Sequence, residues 1–214
     1  MAKEGFPFLI VTGLVSVLLF TLFSASGLSV LAYLGGVTGV CFLAVCFFFR
    51  DPERVIPAGE GVVVSAADGR VVGIREVNGD RKGGLSGIQV SVFLSIFDVH
   101  VNRIPFSGRV RAVQRRPGRF LLAFRERASV ENAQVAVEIE GAGRTLAVRQ
   151  IAGFVARRIV CHATEGAQVR RGERFGLIKF GSRVDLILPA GSEVRVQVGD
   201  RVRAGETIIG VMRT

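Results

Sequence analysis

The sequence predicts a mainly β protein, a β-sandwich or flattened barrel, preceded by an N-terminal hydrophobic helical hairpin. Three observations lead there. Two uncharged apolar runs fill most of the first 50 residues. Beyond Arg50 the chain turns into short β-branched runs separated by Gly-centred turns. One stretch near the C-terminus, "EGAQVRRGERFGLI" at 165–178, is echoed by "VGDRVRAGETIIGV" at 198–211.

The first apolar run spans 5–23 and the second 28–49, with "SASG" at 24–27 between them as a predicted turn. About 20 residues of helix rise about 30 Å, the thickness of a hydrocarbon core. A hairpin with both ends on one side of a membrane fits best. A cleaved leader followed by a buried helix, or a shallow re-entrant hairpin bent at the Gly-rich second run, are the other readings. Lys3 precedes the first run, Arg50 and Arg54 follow the second, and the turn carries no charge. The positive-inside rule then places both ends, and the domain that follows, on the cytoplasmic side of the cell membrane. Residues 1–50 are the anchor and 51–214 the soluble domain, whose length of about 165 residues suffices for one core.

Within that domain "GVVVSAADGRVVGIREV" (61–77) offers two β-branched runs around Asp68-Gly69, and 87–113 offers more. "QVAVEIE", "RTLAVRQIAG" and "ARRIVCHA" follow, with weak helical periodicity confined to 120–127. In the echo Gly166, Val169, Gly172 and Glu173 match Gly199, Val202, Gly205 and Glu206. The pattern resembles the hammerhead unit of biotinyl and lipoyl carrier domains, which implies a barrel of related halves. Such carriers need a Lys at a hairpin tip, and Lys179, beside "FGS", is in the wrong setting, so the likeness speaks to fold and not to cofactor.

Charge and composition exclude several classes. The excess of 28 Lys and Arg over 18 Asp and Glu is almost all arginine. A basic domain beside a bilayer is drawn to anionic headgroups. No aromatic-interleaved basic face marks a nucleic-acid binder. "QRRPGR" (114–119) and "QVRRGER" (168–174) read equally as solvated turns or as lipid contacts. Cys41, Cys46 and Cys161 form no disulfide or metal spacing and read as small apolar filler, and two histidines, His100 and His162, do not make a zinc site.

The chemistry turns on "FGSRVDLILP" at 180–189. Gly181-Ser182 reads as a turn before a strand, or as a placed hydroxyl. It is no nucleophile elbow, because G-x-S-x-G is missing. "SAADGRV" supplies Asp68 and "LSIFDVHVNRIPFSGRV" supplies Asp98, His100, Asn102 and Pro105. An Asp, a His and a Ser on a β scaffold form a proton-transfer triad if the fold brings them together.

The ordered set of an apolar hairpin, "FFRDPER", "ADG", "DVHVNRIPFSG", "IAGFVARRIV" and "GERFGLIKFGSRVDLILP" resembles the phosphatidylserine decarboxylase proenzymes in their short form, over essentially the whole chain. The resemblance implies self-cleavage between Gly181 and Ser182. Ser182 Oγ attacks the Gly181 carbonyl, and Ser182 becomes a covalent pyruvoyl group on a small chain, 182–214, that stays associated with a large chain, 1–181. The pyruvoyl ketone then forms a Schiff base with the serine headgroup of a phospholipid and acts as the electron sink for decarboxylation to phosphatidylethanolamine. By the same resemblance His100 and Asp68 carry the proton transfers, His100 at the position used in decarboxylation. Longer relatives have a second histidine where this chain has Arg103, which cannot be a base. Either His100 serves both steps, or Asp98 or His162 substitutes. The Asn-Glu-Arg of relatives is Asn132-Ala133-Gln134 here. The apolar 118–124 segment, with basic flanks, reads either as dipping toward the bilayer or as facing the core.

Other classes stay open on residues alone: a membrane-anchored lipoyl-like adaptor with an uncleaved chain, or a hydrolase with Ser182 intact. The headgroup chemistry is shared by archaeal ether lipids, so an archaetidylserine decarboxylase is a further alternative. Open sheet edges leave room for a homodimer.

Overall fold

The computed structural model describes residues 1–79, 85–119, 131–153, 158–179 and 182–212. The chain separates into two compact units, Met1–Pro52 and Glu53–Thr214.

The first unit is a short 3₁₀ turn, Lys3–Gly5, followed by helices α1 (Phe6–Ser26) and α2 (Ser29–Phe48). Both are long and apolar enough to cross a membrane. Small residues let the two helices approach: Gly13 lies against Phe42, Gly35 against Phe20, and Ser16 Oγ donates to Gly35 O at 3.0 Å. The outward side chains, among them Leu14, Leu18, Val40 and Leu43, are apolar and exposed. The expected four-residue turn at 24–27 is shorter than the sequence suggests. Helix α1 runs on through Ser26, with Ser24 and Ser26 folding their hydroxyls back onto Phe20 O and Leu22 O. Gly27 (φ 69°) then closes the helix in the left-handed region.

The second unit is mainly β. Its described strands are β1 (Val62–Val64), β2 (Gly69–Val77), β3 (Gly87–Leu94), β4 (Val101–Arg103), β5 (Gly108–Arg116), β6 (Gln134–Gly141) and β7 (Arg144–Ile151). They continue with β8 (Ile159–Cys161), β9 (Gln168–Val169), β10 (Arg174–Ile178), β11 (Ser182–Pro189), β12 (Glu193–Val194), β13 (Arg201–Val202) and β14 (Ile208–Val211). Eight of them form one sheet curled into a half-barrel, in the order β13-β2-β3-β11-β7-β6-β5-β9. Two three-stranded sheets, β1-β14-β12 and β4-β10-β8, complete the unit.

Strand β11 lies at the centre, antiparallel to β3 on one side and β7 on the other. Its alternation sets two faces. Val184, Leu186 and Leu188 point into the core, in register with Val92, Val90 and Ile88 of β3. Each such fully buried aliphatic side chain contributes about 1.5–3 kcal/mol. The opposite face carries Arg183 and Asp185, both buried, with Arg183 Nε 2.6 Å from Asp185 Oδ1 and Arg183 Nη2 donating to Ser91 Oγ at 2.7 Å.

The sequence echo becomes a near two-fold in the hydrogen bonds. Gly199 N–H donates to Val71 O and Gly166 N–H to Val110 O, both at 2.8 Å. Gly205 N–H donates to Ser65 O and Gly172 N–H to Ile104 O, again at 2.8 Å. Gly172 and Gly205 have φ of 82° and 79°, which explains why glycine recurs there. The two halves also exchange bonds directly, Val64 N–H to Pro105 O and Arg103 N–H to Ala66 O. Ala204 N–H donates to Asp68 Oδ1 in one half and Arg171 N–H to Ser107 Oγ in the other. One short glycine-turn pattern is thus used twice to close the ends of the curled sheet.

Candidate functional site

Strands β2, β3 and β11 are antiparallel neighbours, so the start of β2, the end of β3 and the start of β11 share one end of the sheet. Asp68 stands immediately before β2. His100 follows the end of β3 after a turn at 95–98. Ser182 is the first residue of β11, paired with Leu94, the last residue of β3. The fold therefore brings the three sequence-predicted residues to one end. Gly181, the other half of the predicted cleavage pair, lies outside the described residues, as does most of the apolar 118–124 segment.

Ser182 is fully buried, on the same face of β11 as Val184 and Leu186. Among the described residues its Oγ has no hydrogen-bond partner. A hydroxyl buried without a partner costs about 1–3 kcal/mol. The apolar register of β11 explains the position.

His100 is 2% exposed, and its Nδ1 lies 2.9 Å from Asp98 O. A carbonyl oxygen only accepts, so Nδ1 carries the proton and Nε2 the lone pair of the neutral ring. The turn that delivers His100 is tightly bonded. Asp98 Oδ2 accepts from Ser95 N–H at 2.8 Å and Ser95 Oγ at 2.7 Å, and Asp98 N–H returns a bond to Ser95 O. Asp98 thus acts on His100 through its main chain, while its side chain shapes the turn.

Asp68 uses both carboxylate oxygens. Oδ2 accepts from Arg54 Nη2 at 2.7 Å and Oδ1 from Ala204 N–H at 2.7 Å. Arg54 is itself buried and reaches Glu206 Oε2 at 3.2 Å with Nη1. Burial pushes the Asp68 carboxyl above the usual aspartate range. The Ala204 N–H and Arg54 pull it down without overturning that, and Asp98 adds to the rise. Partial desolvation also acts on Glu206, but Arg54, the Val55 N–H and Arg203 outweigh it and hold its carboxyl below the usual glutamate range.

The other sequence candidates sit apart from these roles. Arg103, buried in β4, donates from Nη1 to Gly172 O at 2.9 Å and holds one of the repeat turns. His162 is exposed just beyond β8, and its N–H donates to Phe175 O. Cys161 is buried in β8, and burial pushes its thiol up, against the Ala163 N–H and Arg115, as suits a packing residue. Asn132 is buried and donates from Nδ2 to Ala152 O at 2.7 Å, which pins the chain before β6.

Two polar pairs escaped sequence reasoning. Gln150 projects from β7 onto the core side and donates from Nε2 to Asn102 Oδ1 at 2.8 Å. Among the described residues Asn102 Nδ2 and Gln150 Oε1 are buried with no partner. The signal was present, since Gln150 occupies the inward register of Leu146 and Val148. The Arg183–Asp185 pair had a similar signal, two charges at alternate positions of an apolar strand.

Comparison with known proteins matches residues 42–210 to the family model described as phosphatidylserine decarboxylase. The chain is 47% identical over 212 residues to the phosphatidylserine decarboxylase proenzyme of Symbiobacterium thermophilum, covering 98% of this chain and 94% of that one. It is 45% identical over 214 residues to the proenzyme so named from Ruegeria pomeroyi, with 98% and 94% covered. It is 42% identical over 211 residues to that of Syntrophus aciditrophicus, with 98% and 96% covered.

Proposed function

The chain belongs to the phosphatidylserine decarboxylase family, and from that premise we propose that it converts phosphatidylserine to phosphatidylethanolamine with a pyruvoyl group made from its own Ser182. The observation that carries this reading is the Ser182 hydroxyl, buried and unpartnered among the described residues at the head of the central strand. A side chain that costs stability where it stands fits a precursor that is consumed.

In this proposal His100 Nε2 takes the proton from Ser182 Oγ, which attacks the carbonyl carbon of Gly181. The new C–O bond forms as the amide C–N bond breaks, and the freed amine takes the proton. Loss of the Cα proton of residue 182 then breaks its Cβ–Oγ bond, releasing chain 1–181 with Gly181 as its carboxylate. Water replaces nitrogen at residue 182, ammonia leaves, and the pyruvoyl group remains at the head of chain 182–214. That group supplies an electron sink for the pair released when the headgroup carboxylate departs as CO₂.

This chain's residues then hold and move protons. His100, with Nδ1–H fixed on Asp98 O, presents Nε2 for proton return to the headgroup carbon. Asp68 works from the same end as the carboxylate that favours charge on His100, while Arg54 and the Ala204 N–H hold it in place. The small chain needs no covalent tether. Strand β11 is bonded along both edges to β3 and β7, and β13 and β14 pair with β2 and β1. The two apolar helices anchor the enzyme in the membrane that holds its substrate, with the domain on the cytoplasmic side.

The test is the intact mass of the purified protein beside Ser182→Ala. Wild type is expected as two chains meeting at 181/182, the small one lighter by one ammonia than hydrolysis would leave it, and the variant as one chain. An active wild type that remains a single unmodified chain overturns the reading.

A further inference from the structure

The second unit leaves few large apolar side chains in water. Among the described residues they are Val55, Ile96, Phe97 and Val198. Two of the four, Ile96 and Phe97, are adjacent, 52% and 69% exposed, at the tip of the turn that leads from β3 to His100. Leu94, directly before that turn, is the register partner of Ser182.

The turn is not loose chain. Ser95 and Asp98 close it with three bonds, and Phe97 N–H donates to Ser95 Oγ at 3.3 Å. Two large apolar groups are therefore held outward by a rigid frame. Val198 (62% exposed) stands on the turn before β13, and Arg201, the first residue of β13, approaches Asp98 at 4.0 Å. Arg201 pairs in register with Arg70 of β2, and Arg70 with Phe93 of β3. Arg201 and Arg203 side chains are 79% and 72% exposed, and Arg70 is exposed too. The acids nearby are engaged within the fold, Asp98 as above, Asp200 by accepting from Gln197 N–H, and Glu206 by Arg54 and, at 3.7 Å, by Arg203.

We propose that the 95–98 turn is a bilayer-docking element, with Ile96 and Phe97 entering the lipid interface and Arg70, Arg201 and Arg203 meeting anionic headgroups. The arrangement of apolar tip and basic rim is what an interfacial contact requires. A protein partner would be less well matched, because the exposed side chains that reach furthest beside the tip are arginines and the turn leads directly to His100, which acts on a lipid headgroup. That last point rests on the decarboxylase reading. The consequence is that the headgroup reaches Ser182 and His100 without leaving the interface.

The chain contains no tryptophan, so Phe97→Trp gives a single reporter. The full-length variant is reconstituted in vesicles of phosphatidylethanolamine and phosphatidylglycerol, with and without lipids brominated along the acyl chain. The indole emission is expected to be blue-shifted and to fall by about half with shallow bromines, as for a side chain set about 5–10 Å into the interface. Glu140→Trp, on β6 beside the far hairpin, serves as the control and is expected to be unquenched. An unquenched indole in the Phe97→Trp variant overturns the proposal. So does a blue-shifted indole there that bromolipids leave bright, which would indicate a second copy of the chain. Quenching does not depend on turnover. Quenching of the Phe97→Trp variant, beside an active wild type that stays one uncleaved chain, would sink the decarboxylase reading and leave the surface standing.

Discussion

Arg54 donates from Nη2 to Asp68 Oδ2 across 2.7 Å, and with Nη1 it reaches Glu206. In the proposed mature enzyme Arg54 and Asp68 lie on the large chain and Glu206 on the small one, so this cluster spans the cut. Arg54→Met strands a buried carboxylate and is expected to cost about 3–5 kcal/mol. Arg54→Lys keeps the charge but loses the fork between two carboxylates, and a smaller loss is expected. Denaturation midpoints of purified protein in detergent measure both. Equal midpoints for Arg54→Met and wild type would show that the pair contributes nothing.

The two carboxyls respond oppositely to acid. Asp68 has a raised folded-state pKa, so it binds its proton above the ordinary 3.8, and its contribution to stability is largest below that range and lost as pH rises through the folded pKa. Glu206 has a lowered one, so its contribution is present above its unfolded pKa and lost as pH falls through the folded value. If ionised Asp68 supports processing, the cleavage rate of freshly synthesised chain falls on the acid side with a midpoint above 3.8. Asp68→Asn is expected to process slowly and to lose that acid limb. A wild-type midpoint at or below the ordinary value counts against the assignment.

In the proposed mechanism His100 is the base for both halves of the reaction. Arg103 is committed to Gly172 O and stays charged, and His162 is exposed beyond β8. His100→Ala is expected to slow cleavage and turnover alike by about 10²–10⁴, the usual worth of a positioned base. Gel analysis of chain splitting over time separates this from the alternative. A His100→Ala chain that splits at the wild-type rate would assign processing to another group.

Arg183 and Asp185 form a buried pair on the strand that starts with Ser182. Asp185→Ala leaves a buried guanidinium and is expected to cost about 3–5 kcal/mol, whereas Arg183→Met with Asp185→Leu is expected to lie near wild type. Thermal midpoints of the single and double variants make the comparison. A double variant as unstable as Asp185→Ala alone would mean that the pair also specifies register.

Much of the molecule was legible in the residues. The helices followed from two uncharged runs, and the mainly β domain from β-branched runs separated by Gly-centred turns. Even the near two-fold was visible in the glycines at 172 and 205, because a left-handed backbone leaves a mark in composition. Ser24 and Ser26 misled the reading of the hairpin turn, since a serine at a helix end can cap it or fold back onto it. Gln150 was overlooked because a single polar residue in a strand reads as the wet face until its register is known.

What the sequence determined by itself was local or compositional: a hydrophobic hairpin, a β domain, and a family whose motifs are short and ordered along the chain. What only the tertiary structure decided was which of those residues meet. The antiparallel order β2-β3-β11 puts Asp68, His100 and Ser182 at one end although more than 110 positions separate the first from the last. The same order commits Asp68 to Arg54, and Arg103 to a repeat turn. Strand neighbours are chosen by packing over long chain separations, and no local preference in the sequence carries that information.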